Sequence, residues 1–232
     1  MANELPGGPR WLDVAPGRVA GWLAAFAGRH GTLVQSRADD GSVVTFRAAD
    51  GSVADCHVPF PPLPPDAGGA AGIAAHAAAG RTVGVLLVRL GGYAAGVFGP
   101  DQALLASKVG SRLVHGRSAA GGQSQQRFAR RREKQSREAL GAAADCAAAV
   151  FGPFGGRLDA VVLGGDRRAM AGLAGDPRLR PYFDLAVDRF LTVPDPRLAV
   201  LRGTPRQFTA VRVRLAEAGP AAGYDSAGPA LR

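Results

Sequence analysis

Thr82-Val83-Gly84-Val85-Leu86-Leu87-Val88-Arg89-Leu90, then Gly91-Gly92, then Tyr93-Ala94-Ala95-Gly96-Val97-Phe98, is the stretch on which the fold turns. Nine residues rich in valine and leucine, a glycine pair and a second short apolar run read as two strands joined by a tight turn. The first run is apolar almost without interruption, as expected of a strand covered on both faces. The pair therefore predicts a hairpin at the centre of a mixed sheet with helices on its faces, an α/β fold.

Outward on the N-terminal side, residues 1–10 are rich in proline and glycine and read as frayed, and Val14 to His30 reads as a helix, with Val19, Trp22, Leu23 and Phe26 at near-helical spacing. Trp22 reads as a core anchor. From Thr32 to Pro59 the pattern changes to β-branched runs broken by Asp40-Gly41 and Asp50-Gly51, which predicts a small antiparallel meander. A proline-rich connection, 61–69, leads to the alanines of 70–79, read as a short helix.

On the C-terminal side, Gly99-Pro100-Asp101 marks a turn and Gln102 to Ala106 continues the sheet, whereas Lys108 to Gly122 is polar, glycine-rich and aperiodic and reads as an exposed functional loop. A helix of roughly 27 residues, about 40 Å long, is expected from near Ser124 to about Phe151. Its first half carries Arg127, Arg130, Arg131, Arg132, Lys134 and Arg137, read as spread around the circumference. Beyond Ala139 it becomes alanine-rich and able to lie on the sheet. The helix thus reads as an arm that holds the glycine loop away from the body. After Gly152-Pro153, the expectations are a buried strand at Ala160–Leu163, a turn at Gly164-Gly165, and Asp166 as N-cap of a helix through Leu173. A strand around Phe190–Val193, a short helix at Arg197–Arg202 and a last strand at Phe208–Leu215 complete the sheet. The expected division is an N-terminal helix and meander extension at 1–66, a main domain at 67–217 and a disordered tail at 218–232, with no internal repeat.

The chain has 232 residues, 47% hydrophobic and 20% charged, enough for one sizeable core. No stretch near Met1 has a signal-peptide layout, and Val83–Leu90 is too short to span a bilayer. A soluble, cytoplasmic, monomeric protein without membrane attachment is expected. Cys56 and Cys146 are far apart and lack partners at metal-ligand spacing, so two buried free thiols, no metal site and no cofactor are expected. The net charge is +9, nearly all of its positive part arginine. A GC-rich genome would enrich arginine with Ala, Gly and Pro, but the clustering at 127–137 points to a polyanionic partner.

The stretch that carries chemistry is Val114-His115-Gly116-Arg117-Ser118-Ala119-Ala120-Gly121-Gly122-Gln123-Ser124-Gln125-Gln126-Arg127-Phe128-Ala129-Arg130-Arg131-Arg132-Glu133-Lys134. It resembles the catalytic loop and following helix of the eukaryotic and archaeal class-1 peptide release factor. That pattern runs His-Gly-Arg-Gly-Gly-Gln-Ser, two variable residues, Arg-Phe-Ala-Arg and a basic Glu-Lys segment. Ser118-Ala119-Ala120 lengthens the loop between Arg117 and the glycines. The resemblance covers roughly residues 82–216, the family's middle domain, without the codon-reading and GTPase-binding domains. Within the superfamily it points to the Vms-like release factors and their stand-alone bacterial branch.

The resemblance implies a release-factor middle-domain (RNase H-like) architecture and a peptidyl-tRNA hydrolase that acts without reading a codon, on stalled ribosomes or split large subunits. Its partners would be the 23S rRNA of the peptidyl-transferase region and peptidyl-tRNA. Gln123 would position water, with Gly121 and Gly122 supplying the conformation, Ser124 capping the helix, and the ribose 2′-hydroxyl of the terminal adenosine relaying the proton. Arg127, Arg130, Arg131, Arg132, Lys134, Arg117 and His115 would contact RNA. The residue types suit that chemistry. Two glycines keep the loop slender and free in φ, and a glutamine offers an amide donor and acceptor for water and a developing oxyanion without ionising. Gln125 is the alternative catalytic glutamine, disfavoured because it should already lie inside the helix.

Other readings remain at this point. A glycine pair before a helix is often a turn, and a basic helical run is often a solvated face. Asp159 and Asp166 raise a metal nuclease, but further acidic ligands at recognisable positions are missing. A nuclease cutting the tRNA 3′ CCA end and a non-catalytic RNA-binding protein are the alternatives.

Overall fold

The computed structural model describes residues 8–89, 91–111 and 124–218, with the backbone alone for 124–132. Two five-stranded sheets organise the chain. Strand β1 (Arg10–Val14) enters the first sheet, and a single 3-10 turn at Pro16–Arg18 leads into α1 (Val19–His30). The helix starts five residues later than its apolar pattern suggested. Proline at 16 holds Ala15 extended (ψ 145°), and Val14 is the last residue of the strand. Of the N-terminal stretch expected to be frayed, residues 1–7 lie outside the described residues, and Arg10 is in a strand, paired with Leu215.

The meander follows as expected, β2 (Leu33–Arg37), β3 (Val43–Ala48) and β4 (Val53–His57). Its turns use the Asp-Gly pairs. Gly41 and Gly51 take φ of 64° and 89°, while the Asp40 and Asp50 carboxylates accept the Ser42 and Ser52 backbone N–H at 2.9 and 2.8 Å. Helix α2 (Gly69–Ala78) packs with α1 on one face of this sheet, where Val19, Leu23, Phe26, Ile73 and Ala77 meet Val44, Phe46, Ala54 and Cys56.

The second sheet opens with the hairpin β5 (Val83–Arg89) and β6 (Gly92–Phe98), then β7 (Leu104–Ser111). Strand β7 runs five residues beyond the expected end at Ala106, so Lys108–Ser111 are strand, not loop. Their polar character suits an edge strand, which pairs on one side only. Helix α3 (Ser124–Phe151) has the expected bounds and ends at Gly152-Pro153. Strand β8 (Ala160–Gly165) includes the glycine pair expected to turn. Asp166 caps α4 (Arg167–Leu173), its Oδ1 accepting from the Ala169 N–H at 2.9 Å.

After α5 (Arg180–Phe183) comes β9 (Ala186–Leu191), four residues earlier than expected. Its half-buried start is an edge segment whose pairing with β8 is irregular. Helices α6 (Leu198–Arg202) and α7 (Pro205–Phe208) precede β10 (Val211–Ala216).

The second sheet has the order β7-β6-β5-β8-β9, antiparallel through the hairpins and parallel from β5 to β8 and β9. It is the expected mixed α/β layer, with cores on both faces. Strand β10 does not complete it. It returns to the first sheet, whose all-antiparallel order is β1-β10-β4-β3-β2. Sheet membership therefore departs from a division at residue 66, because α2 and β10 both belong to the first layer. Phe208 joins the layers, its ring edge-on to Phe60 at 5.9 Å and to Phe98 at 5.8 Å.

Among the described residues one stretch, Glu133–Arg157, is long and apolar enough by length and composition to cross a membrane. It exceeds the Val83–Leu90 run. Its apolar content is mostly alanine, and Ala143, Cys146, Ala147 and Phe151 of it are buried on the sheet. Both cysteines are buried and free. Burial pushes the Cys56 thiol up to about 12 and raises that of Cys146, so neither is a ready nucleophile.

Candidate active site

The site is built on two anchors, the end of β7 at Ser111 and the start of α3 at Ser124. The C-terminal half of α3 fixes the second. Ala139, Ala143, Cys146, Ala147 and Val150 recur every three or four residues and are all buried. Their small side chains let the helix lie close on β6, and the Cys146 thiol donates to the Lys108 carbonyl at 3.4 Å. Towards the N-terminus the described side chains become exposed. Glu133, Lys134, Ser136, Arg137 and Glu138 are exposed and Gln135 is half-buried. The helical backbone continues over fifteen residues from Glu138 back to Ser124, about 22 Å at 1.5 Å per residue.

At about 100° per residue, positions 127, 130, 131, 134 and 137 fall within one arc of about 120°. Only position 132 of the basic set lies elsewhere. The expectation of an even spread is corrected by the helix geometry: the basic positions form a stripe. That stripe lies roughly opposite the positions 139, 143, 146, 147 and 150 that rest on the sheet.

Charge is not uniform along the stripe. Lys134 faces Glu138 at 3.9 Å, and Arg137 faces Glu133 at 3.7 Å, both pairs exposed. The segment 133–138 is therefore neutral in sum, whereas 124–132 holds four arginines and no acid. This end of a helix carries the positive pole of the backbone dipole, and its first turn has no acidic residue to offset it. Arginines at i, i+3 and i+4 add like-charge repulsion. An isolated helix gains nothing from this arrangement; a bound polyanion reverses each cost.

His115, Arg117, Gly121, Gly122 and Gln123 lie outside the described residues. Ser124, expected as the cap, is the first residue of the helix. Gln125 is on the helical backbone, as are Arg127, Arg130, Arg131 and Arg132. Of the expected contact residues only Lys134 has a described side chain, and it is already paired. The sequence reading missed that pairing, although the i, i+4 spacing of glutamate and cation was there to find it. Asp159 and Asp166, considered as metal ligands, have structural tasks: Asp159 accepts the Thr82 backbone N–H at 2.7 Å, and Asp166 is the α4 cap. Among the described residues no group of three or more His, Cys, Asp or Glu converges.

A mixed sheet that carries a stiff, arginine-tipped helix immediately after a Gly-Gly-Gln tripeptide defines a domain of the release-factor type. The chain belongs to the Actinobacteria/chloroflexi VLRF1 release factor family, whose model matches residues 81–214, more than half of the chain. This is a Vms-like release factor family, and membership gives the chain a ribosome-associated, release-factor-like role. The match begins just before β5 and ends within β10, leaving α1, α2 and β1 to β4 outside it. No curated protein matches the chain.

Proposed function

We propose that this protein is a codon-independent peptidyl-tRNA hydrolase, which cleaves the ester between nascent peptide and tRNA on stalled ribosomes or split large subunits in the cytoplasm. The observation that carries the reading is the unbalanced run of four arginines at the start of α3, on a helical backbone that begins about 22 Å before the buried Ala139 and directly follows Gly121-Gly122-Gln123 in sequence. A stiff slender arm suits entry into an RNA-walled site, and arginines along it would hold phosphates while leaving the tripeptide at the leading end. Gln123 would orient water and the developing oxyanion, with the tRNA 2′-hydroxyl relaying the proton; the protein then needs no ionising base. Arg117 and His115 would contact the same 23S rRNA or tRNA surface.

Purified large subunits carrying labelled peptidyl-tRNA test the reading. Hydrolysis yields a free peptide carboxylate and an intact CCA end. A shortened tRNA 3′ terminus would instead establish a nuclease, and an unchanged peptidyl-tRNA a binding protein.

A further inference from the structure

The face of the first sheet opposite α1 and α2 is uncovered by any described element, and at its β1 end it meets the β9 edge of the second sheet. Trp11, 45% exposed, stands at this junction. The Arg212 guanidinium lies over its ring, 4.3 Å from the centroid, and the His57 ring is tilted against it at 5.1 Å. Arg189, from β9, reaches in and is held by the Asp13 carboxylate at 2.9 Å and the Ala210 carbonyl at 2.6 Å.

Two cavities flank this group and share Trp11, Arg189 and Arg212. One, of about 320 Å³, is polar and includes Thr192 and Gln207; the other, of about 280 Å³, includes Phe60, His57 and Asp188. Each is near the lower limit for a small-ligand pocket, roughly 300 Å³. That is space for one planar ring with its substituents.

Positive charge here exceeds what the fold uses. Arg189 is neutralised by Asp13, and Arg214 has Asp55 at 3.4 Å, but Arg212 is in no ion pair among the described residues. Its proximity helps to push down the proton affinities of His57 and Arg189, which burial lowers first. A bound anion would relieve that repulsion. An aromatic ring, a stacked guanidinium, a neutral imidazole and base-edge partners such as Gln207 and Asp188 form the set that holds unpaired bases by stacking and their phosphates by charge.

We infer that the cleft between β1, β10 and β9 binds unpaired nucleotides of RNA, with a base stacked on the Trp11–Arg212 pair and a backbone phosphate on Arg212. Phosphate and base together distinguish this ligand from an acidic peptide, which would satisfy the charge and leave the stacking surface idle. The cleft is at the β9 edge, four strand spacings or about 19 Å from the β7 edge that leads to the Gly-Gly-Gln segment. It is thus a second RNA contact, built partly by β1 and β4, which the family match leaves out. The inference stands apart from the hydrolase reading.

The test uses the full chain with Trp22→Phe, leaving Trp11 as the sole tryptophan, and with Arg127, Arg130, Arg131 and Arg132 changed to Gln to silence the arm. Hexa-adenylate RNA should quench Trp11 fluorescence saturably. Arg212→Gln should weaken that binding at least about tenfold. Arg212→Lys, which keeps the charge and loses the plane, should weaken it as well. Circular dichroism identifies any variant that fails to fold, and the other then decides. The inference is overturned if hexa-adenylate leaves Trp11 unquenched, if folded Arg212 variants bind as the parent does, or if hexaglutamate binds as tightly as the RNA.

Discussion

Neutralising Arg130 and Arg131 tests the arm quantitatively. Four arginines at 124–132 have no acidic neighbour in that segment, whereas Lys134 and Arg137 are matched by Glu138 and Glu133. If those four each neutralise one phosphate, the log–log slope of affinity for large ribosomal subunits against salt is about −2.8 to −3.6. Between 50 and 200 mM salt the affinity then falls by about 50- to 150-fold. Counting Lys134 and Arg137 as well would make the fall about 300-fold or more, so the measurement also reports whether the glutamate pairs stay closed. Arg130→Gln with Arg131→Gln should reduce the slope to about −1.4 to −1.8 and the fall to roughly tenfold. Sedimentation binding across that salt range is the assay. An unchanged slope in the double variant would remove the arm from RNA binding.

Further outcomes follow from two glycines and from the histidines. Gly165, at φ 102°, closes β8 against Val88, where an added Cβ would run into the Val88 carbonyl oxygen; Gly165→Ala should cost at least about 2 kcal/mol. Gly141, mid-helix with open space around it, should instead gain roughly 0.5–1 kcal/mol on change to Ala, and urea unfolding of both variants would expose an error in either sign. Burial holds the proton affinities of His76 and His57 below the ordinary value, the neighbouring Arg81 assisting at His76. The unfolded chain therefore binds their protons more tightly, and stability should fall as pH drops through about 6.5, levelling off below the folded values. Urea midpoints at pH 7.5 and 5.5 should differ in that direction, less so in His76→Gln; a higher midpoint at pH 5.5 would contradict the assignment.

Local signals made much of this molecule legible. The Asp-Gly turns, the β5–β6 hairpin, the Pro and Gly limits of α3 and the Asp166 cap each depend on residues close in sequence, and each has its expected form. What escaped depends on partners far away. Strand β1 exists because Arg10 to Val14 pair with Leu215 to Val211, and a five-residue strand without a hairpin partner leaves no local sign. The same pairing takes β10 out of the sheet it was expected to complete. Lys108 to Ser111 look like loop because an edge strand need not alternate. In the candidate site, the basic helix and its limits were readable from composition. Its division into a neutral segment and an unbalanced tip required the ion pairs, and the Trp11 cleft required both sheets at once.

Single-turnover peptide release with large subunits carrying peptidyl-tRNA, run beside sedimentation binding, tests the central claim most directly. Gln123→Ala should lower release by about a hundredfold or more, as expected when one preorganised polar group is lost from a reaction centre, with binding nearly unchanged. Gly122→Ala should resemble it, while reversing Arg130 and Arg131 to Glu should impair binding itself. Release at the parental rate by Gln123→Ala but not by Gln125→Ala would move the catalytic role to Gln125; release at the parental rate by both would contradict the hydrolase mechanism.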